Sequence, residues 1–391
     1  SGFTALCGTA GSYLSLALYR FGVGVGEAGL SPPAHSLLSD YFPPQKRASA
    51  LALYSLGVPA GTLLGAAVGG FMAQLWSWRV AFIALGLPGI LVAFAIHRLV
   101  REPARGTSDG RPPAPLPPLS LRSELQQTAA VFRLMVRQKP LLHMMLGITI
   151  VSFAGYGGGQ FLQPYWIRAF GLDYAQTGLV TGLAGAASQA IGIFLGGVLA
   201  DRLARNSSPS WYGLLPAIGI TLAFPFSVAL YSAASWQWAA FWLLFPGAFT
   251  MLYMGPTYGV VQNLVPASSR ATATAILFFV LNLFALGLGP PFTGWLIDQL
   301  AAHHFQQPQL PGLLAAVRGL AEAGGFQQFC PGGVAPAGQP PAVDSACRQA
   351  LALATRQGSI LVYAVSLWGA LHYLLASRRL AGAFRASAAG R

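Results

Sequence analysis

The feature that most restricts this chain is a recurrence of apolar runs, each roughly 20 residues or longer and almost free of charge. A helix rises about 1.5 Å per residue, so one such run crosses a hydrocarbon core of about 30 Å. Runs at 1–17, 19–40, 48–74, 79–98, 141–168, 174–200, 211–233, 236–264, 270–300 and 358–377 predict ten membrane-spanning helices. Charged residues are 8% of the chain and hydrophobic ones 54%, whereas a soluble domain carries about 25% charged residues. The runs lack the alternation that a lipid-facing strand needs, so the expected class is an all-α polytopic membrane protein embedded in a lipid bilayer.

A formal charge of +13 raises the question of a nucleic-acid partner, and the placement of the cations argues against one. Lys46, Arg47, the basic residues from Arg98 to Lys139, Arg202, Arg205, Arg270, Arg378, Arg379, Arg385 and Arg391 all fall after every second run. Arg20, Arg79, Arg168, Arg318, Arg348 and Arg356 fall elsewhere. By the positive-inside rule the first set, and with it the C-terminus, is expected in the cytoplasm. The charge reports topology.

Cys7 sits in an apolar run, where a small packing role is expected. Cys330 and Cys347 share the Gly-, Pro- and Ala-rich outer segment 301–357. An oxidising exterior would let them pair, and closing that loop would stabilise it by about 3 kcal/mol in the chain-entropy picture; two free thiols are the alternative.

An offset of 223 superimposes one half of the chain on the other: Gly24 on Gly247, Pro33 on Pro256, Pro43 on Pro266, Arg47 on Arg270, Ala48 on Ala271 and Ala50 on Ala273. The stretches "FPPQKRASA" and "VPASSRATA" thus take equivalent places, as in transporters built from repeated helix bundles. Residue 1 then corresponds to Phe224, inside a run, so two helices and part of a third, roughly 80–100 residues, are expected upstream. The implied plan is two six-helix bundles. Residues 1–100 would supply helices 3–6 of the first, 101–140 a cytoplasmic linker with a helical stretch around Glu124 to Arg137, 141–377 the second bundle, and 378–391 a cytoplasmic tail.

"GVGEAG", Gly24 to Gly29, matches a dinucleotide-binding glycine pattern, but no β-α-β unit is available to house it, so no nucleotide or other cofactor is expected. Gly22 and Gly26 are four apart, a small-xxx-small spacing that lets helices approach closely. Arg20 and Glu27 are seven apart and so lie within about 20° of one helical face. Charges inside a membrane are functional candidates by default. Desolvation favours a neutral carboxyl and a nearby guanidinium favours the anion. Glu27 is therefore the candidate proton carrier, with Arg20 tuning it or holding an anionic head group; a snorkelling Arg20 at the membrane boundary is the bland alternative.

At these residues a resemblance appears. Arg20 followed by "GVGVGEA", then "SDYFPPQKRASALALYSLGVPAGTLLG" and "WRVAF", resembles the major facilitator superfamily and, within it, the spinster-like transporters. "GGVLADRLAR", Gly196 to Arg205, is similar to that superfamily's G-x-L-a-D-R-x-G-R loop, departing from it at Ala204. The resemblance implies alternating access by two bundles, proton coupling, and lipid-like amphiphiles as substrates. It also makes Asp201, Arg202 and Arg205 a conformational latch. Independently, an aspartate is stabilised by the dipole at a helix N-terminus, and the start of run 48–74 is a candidate partner.

Tyr156, Gln160 and Gln163 recur at four and three residues, and Tyr253 and Thr257 are four apart around Pro256, so both sets are candidates for lining a cavity. Interhelical hydrogen bonding explains such residues equally well. No catalytic motif is found, and the adjacent His303 and His304 do not have metal-ligand spacing, so neither an enzyme nor a metal site is expected. The function expected is secondary transport of an amphiphilic or lipid-like organic solute with protons, by a monomer. A symporter of small organic anions, with Arg20 as the carboxylate clamp, is the alternative.

Overall fold

The computed structural model describes residues 1–101, 103, 108, 120–306 and 326–389; the Pro-rich part of the expected linker and residues 307–325 of the outer segment lie outside the described residues. Every regular element among the described residues is helical, and eight stretches are long and apolar enough to cross a membrane. The protein is therefore an integral, multi-pass membrane protein.

The beginning of the chain departs from the expected spans. Run 1–17 is not one helix. α1 (Gly2–Cys7) stops at Gly8, and α2 (Tyr13–Ala28) starts at a capping box in which Ser12 accepts from the Ser15 amide and Ser15 from that of Ser12. Run 19–40 is divided between α2 and α3 (Ser31–Tyr41), because the chain turns at Gly29 and Leu30 and Pro32 suits the first turn of a new helix. Run 48–74 divides at Leu56 into α4 (Arg47–Ser55) and α5 (Gly57–Leu75). α6 (Trp78–Leu99) closes this half, with α1 packed between it and α2. α6 leaves Leu91, Phe94 and Leu99 exposed, the ordinary state of a helix in lipid.

α7 (Leu121–Arg137), capped by Ser120, buries Val131 and Met135 against its neighbours. The second half follows as α8 (Lys139–Gln160), α9 (Leu162–Phe170), α10 (Tyr174–Val180), α11 (Ala186–Asn206), α12 (Trp211–Ser232), α13 (Trp236–Thr250), α14 (Met254–Leu264), α15 (Arg270–Leu281) and α16 (Gly287–Gln306). α16 runs through His303 and His304, so this start of the expected outer segment 301–357 is helical. α17 (Phe326–Phe329) leads to the last helix, α18 (Pro341–Ala389).

α18 begins 17 residues before the expected span 358–377 and continues without a break into the expected tail, to Ala389. Residues 341–357 are too polar to read as a membrane run. They are helical because Asp344 sits in the first turn, accepting from the Ala335 amide and pairing with Arg348 at i+4. Cys330 and Cys347 are joined in a disulfide, Cα atoms 5.7 Å apart, inside a small core with Leu296, Leu300, Phe326 and Leu351. The main core of the second half is formed by α8, α12, α14, α15 and α18 and centres on Met144, Ile148, Leu215 and Tyr373.

Candidate functional site

The two halves meet through α3, α4 and α5 on one side and α10, α11, α14 and α15 on the other. At the end of the interface where the basic residues cluster, two arginines are almost wholly buried, Arg47 at 0% and Arg270 at 1% exposure. Each opens a helix just after a Pro-led 3₁₀ turn, Pro44–Lys46 or Ala267–Ser269. This is the place that the repeated stretches "FPPQKRASA" and "VPASSRATA" specify.

The local geometry is repeated as well. Arg47 Nε and Nη2 donate to the Ser39 carbonyl at 3.2 and 2.9 Å, and Arg270 Nε donates to the Gln262 carbonyl at 3.0 Å. Ser39 and Gln262 are themselves 223 apart. Each guanidinium thus satisfies carbonyls at the C-terminus of the preceding helix, where the dipole favours a cation. Each also crosses to the other half at equivalent positions. Arg47 Nη1 donates to Asn263 Oδ1 at 2.8 Å, and Arg270 Nη1 pairs with Asp40 Oδ1 at 3.2 Å. Asn263 Nδ2 returns a bond to the Pro44 carbonyl at 3.1 Å.

Beside this pair, Asp201 of α11 accepts from the Ser49 amide at 2.7 Å and the Ser49 hydroxyl at 2.6 Å with one oxygen, and from the Tyr212 hydroxyl at 2.8 Å with the other. Ser49 lies in the first turn of α4, so the carboxylate of one half caps a helix of the other. Arg202 and Arg205 do not join it: both are exposed and make no hydrogen bond or ion pair among the described residues. They follow Asp201 round the helix onto its solvent face.

Glycines make this approach possible. A Cβ on Gly197 would come within 2.4 Å of Ala52 Cβ, and one on Gly255 within 2.7 Å of the Ala48 carbonyl. His35 is sealed in the same interface at 1% exposure, with Tyr54, Tyr258 and Phe278 around its ring at centroid distances of 5.4, 4.7 and 5.6 Å. Sequence reasoning missed His35; its signal was a lone imidazole in an apolar run.

Further along the interface lies a cavity of about 270 Å³. It is walled by α5, α8, the second-half helices α11 to α13 and single residues of α9, α14 and α18, with Val58, Ser152, Tyr156, Gln189, Met251 and Tyr253 among its lining. None of the described lining residues is charged. Two irregular turns form part of the wall, the π-turn Thr181–Gly185 and the 3₁₀ turn Met251–Tyr253, a type of helix defect common at functional sites.

Of the expected lining residues, Tyr156 and Tyr253 face this cavity. Gln160 and Gln163 do not: α8 ends at Gln160 and a new helix starts at Leu162, so the shared face is broken and both side chains are exposed away from the cavity. Thr257 is fully buried, donating to the Tyr253 carbonyl and sharing a 2.7 Å hydrogen bond with the Tyr373 hydroxyl, the interhelical alternative. Arg20 and Glu27 are exposed on α2, line no part of the cavity and are not paired among the described residues. Gly22 packs on Phe3 of α1, whereas Gly26 has open space beside it, so only the first of the two glycines serves close approach.

The sequence profile described as the Major Facilitator Superfamily matches residues 1–290, which contain both arginines, Asp201 and nearly all of the cavity wall. An MFS-type efflux pump of Mycolicibacterium smegmatis is 31% identical over 298 residues, 76% of this chain and 66% of that protein. Protein spinster of Drosophila melanogaster is 28% identical over 326 residues, 78% of this chain and 51% of that one. A crystal structure of a bacterial homolog of the human lysosomal transporter Spinster, inward-facing and occupied, superimposes with a TM-score of 0.62 at 29% identity, covering 96% of this chain and 79% of that one. This chain belongs to the Major Facilitator Superfamily, a family of transporters and not of enzymes, and within it is spinster-like.

Proposed function

We propose that this chain forms most of a secondary active transporter that moves an amphiphilic or lipid-like organic solute by alternating access, coupled to protons through Glu27 with Arg20. The observation that carries the reading is a cavity of about 270 Å³ in the second half, bounded on the first half's side by Val58 and Thr62, with no charged lining among the described residues, next to an end closed by buried ionic contacts. An apolar body enters such a cavity without stripping water from fixed charges. Asp201, Arg47 and Arg270 then hold the closed end, and breaking those contacts together is the opening step.

In this proposal residues 1–100 and 141–377 are the two rocking bundles, 101–140 link them, and 378–391 lie in the cytoplasm. The protein works as a monomer in a plasma membrane of the bacterial inner-membrane type, with its C-terminus cytoplasmic, as the basic residues suggest. One observation favours small organic anions as a second reading: Arg20 is an exposed cation without an ion pair among the described residues.

The test is proton movement in liposomes carrying the intact protein, with lysolipids, sphingoid bases and small organic anions supplied in turn to native and Glu27→Gln forms. Flux driven by the amphiphiles and lost in the variant is the expected result. Flux driven only by small anions selects the second reading. Solute movement with unchanged proton coupling in Glu27→Gln removes Glu27 from the mechanism.

A further inference from the structure

The helix between the halves, α7, has two apolar faces and only one is used. Val131 and Met135 are buried, at 5% and 0% exposure, where α7 packs on α8 and α15. Leu125, Phe132 and Val136 are spaced by seven and four, so they form a stripe about 40° wide beside that contact. They are 62%, 45% and 37% exposed. On the next arc come Arg122, Arg133 and Arg137, all exposed.

The cations continue beyond the helix. Lys139 follows one residue after Gln138, where α7 ends and the membrane helix α8 begins, and it is exposed. Arg379, on the last helix, is exposed too, and both it and Lys139 lie within electrostatic reach of His143 on α8. None of Arg122, Arg133, Arg137, Lys139 or Arg379 is in an ion pair among the described residues. Because α7 joins directly to α8, a helix long and apolar enough to cross the bilayer, its C-terminal end lies at the membrane boundary. A helix there with an apolar stripe beside a row of cations has the build of an element that lies in the membrane surface.

We propose that α7 is an interfacial anchor: the Leu125, Phe132 and Val136 stripe sits in the acyl region, and Arg133, Arg137, Lys139 and Arg379 bind the phosphates of anionic phospholipid. Charge complementarity selects an anionic leaflet over a neutral one, and the connection to α8 places the stripe within reach of lipid. The proposal does not depend on which solute is transported or on Glu27.

The experiment uses the full chain in vesicles of phosphatidylcholine with or without phosphatidylglycerol. A spin label at Phe132→Cys, in a Cys7→Ser background, is compared with one at Gln126→Cys, on the exposed cationic arc. The label at 132 is expected to meet dissolved oxygen and to be shielded from a water-soluble nickel chelate, with the label at 126 the reverse. Access of the chelate to 132 overturns the anchor; shielding from both reagents overturns it as well, because polypeptide then covers the stripe. The lipid is tested by retention of phosphatidylglycerol on the purified protein. Arg133→Gln with Arg137→Gln is expected to reduce retention about fivefold per cation removed, with phosphatidylcholine unaffected. Equal retention of the two lipids by the native protein, or retention insensitive to salt, overturns the anionic-lipid part even if the double variant does not fold.

Discussion

The two ends of one interface differ in kind. Where the halves are clamped, Arg47, Arg270, Asp40 and Asp201 are buried and held by bonds of 2.6 to 3.2 Å. Where the cavity lies, the described wall is neutral, with hydroxyls and amides such as Ser152, Tyr156, Gln189 and Tyr253 set among apolar side chains. Buried charge is tolerable only where a partner is already in place, so the ions sit where the two halves supply each other's partners. The place left for a changing occupant has none. The clamp also has a division of its own. The cross-half contact of Arg270 is with a carboxylate and that of Arg47 with an amide, on frames that the repeat makes equivalent.

That contrast can be broken, and the largest effect is expected at the ionic contact. Arg270→Met removes the guanidinium facing a buried Asp40, and breaking such a pair costs about 3–5 kcal/mol. Thermal unfolding should show the loss, and hydrogen exchange should show lost protection at the start of α4. A loss no greater than that of an exposed arginine such as Arg205 would refute the clamp as described. Next comes the far end of the second half. Reducing the Cys330–Cys347 disulfide should cost about 3 kcal/mol while leaving exchange at residues 47–52 unchanged, which separates the outer core from the clamp.

Gly197→Leu places a side chain where Ala52 already lies, with an expected cost of about 1–3 kcal/mol. It should also drive the halves apart at the clamped end, visible as faster exchange of the Ser49 amide. Tyr156→Phe, at the neutral end, deletes only a hydroxyl from a partly exposed side chain and should change stability by less than about 0.5 kcal/mol. Its effect should appear in solute affinity alone, measured by binding in detergent; a large loss of stability there would mean that the cavity wall is as tightly determined as the clamp.

Much of the fold was legible because hydrophobic length and periodicity are local. The runs, the basic ends and the offset of 223 can be read without a partner. The early runs were misread because Ser12–Ser15 capping and the Gly29–Leu30 turn interrupt helix without lowering hydropathy much. The polar start of α18 was missed because its stability comes from a first-turn carboxylate held by the Ala335 amide, an i+4 pair and packing on α16. At the site, Asp201 was singled out together with its partner helix, whereas Arg47 and Arg270 were noticed only as a repeat and as topology signals.

The sequence by itself therefore determined the class of the protein, its direction in the membrane as an expectation, the doubled plan and the residue types at both interface turns. These follow from properties that neighbouring residues carry alone. Tertiary structure decided which polar groups are mated and which are left open. It put Asp201 on Ser49 and Arg270 on Asp40, partners 152 and 230 residues away. It turned Thr257 into the core and kept Arg20 and Glu27 off the described cavity wall. A helical face records which residues point together, but the energy of a buried charge depends on what the opposite helix presents, and that is settled only when the helices pack.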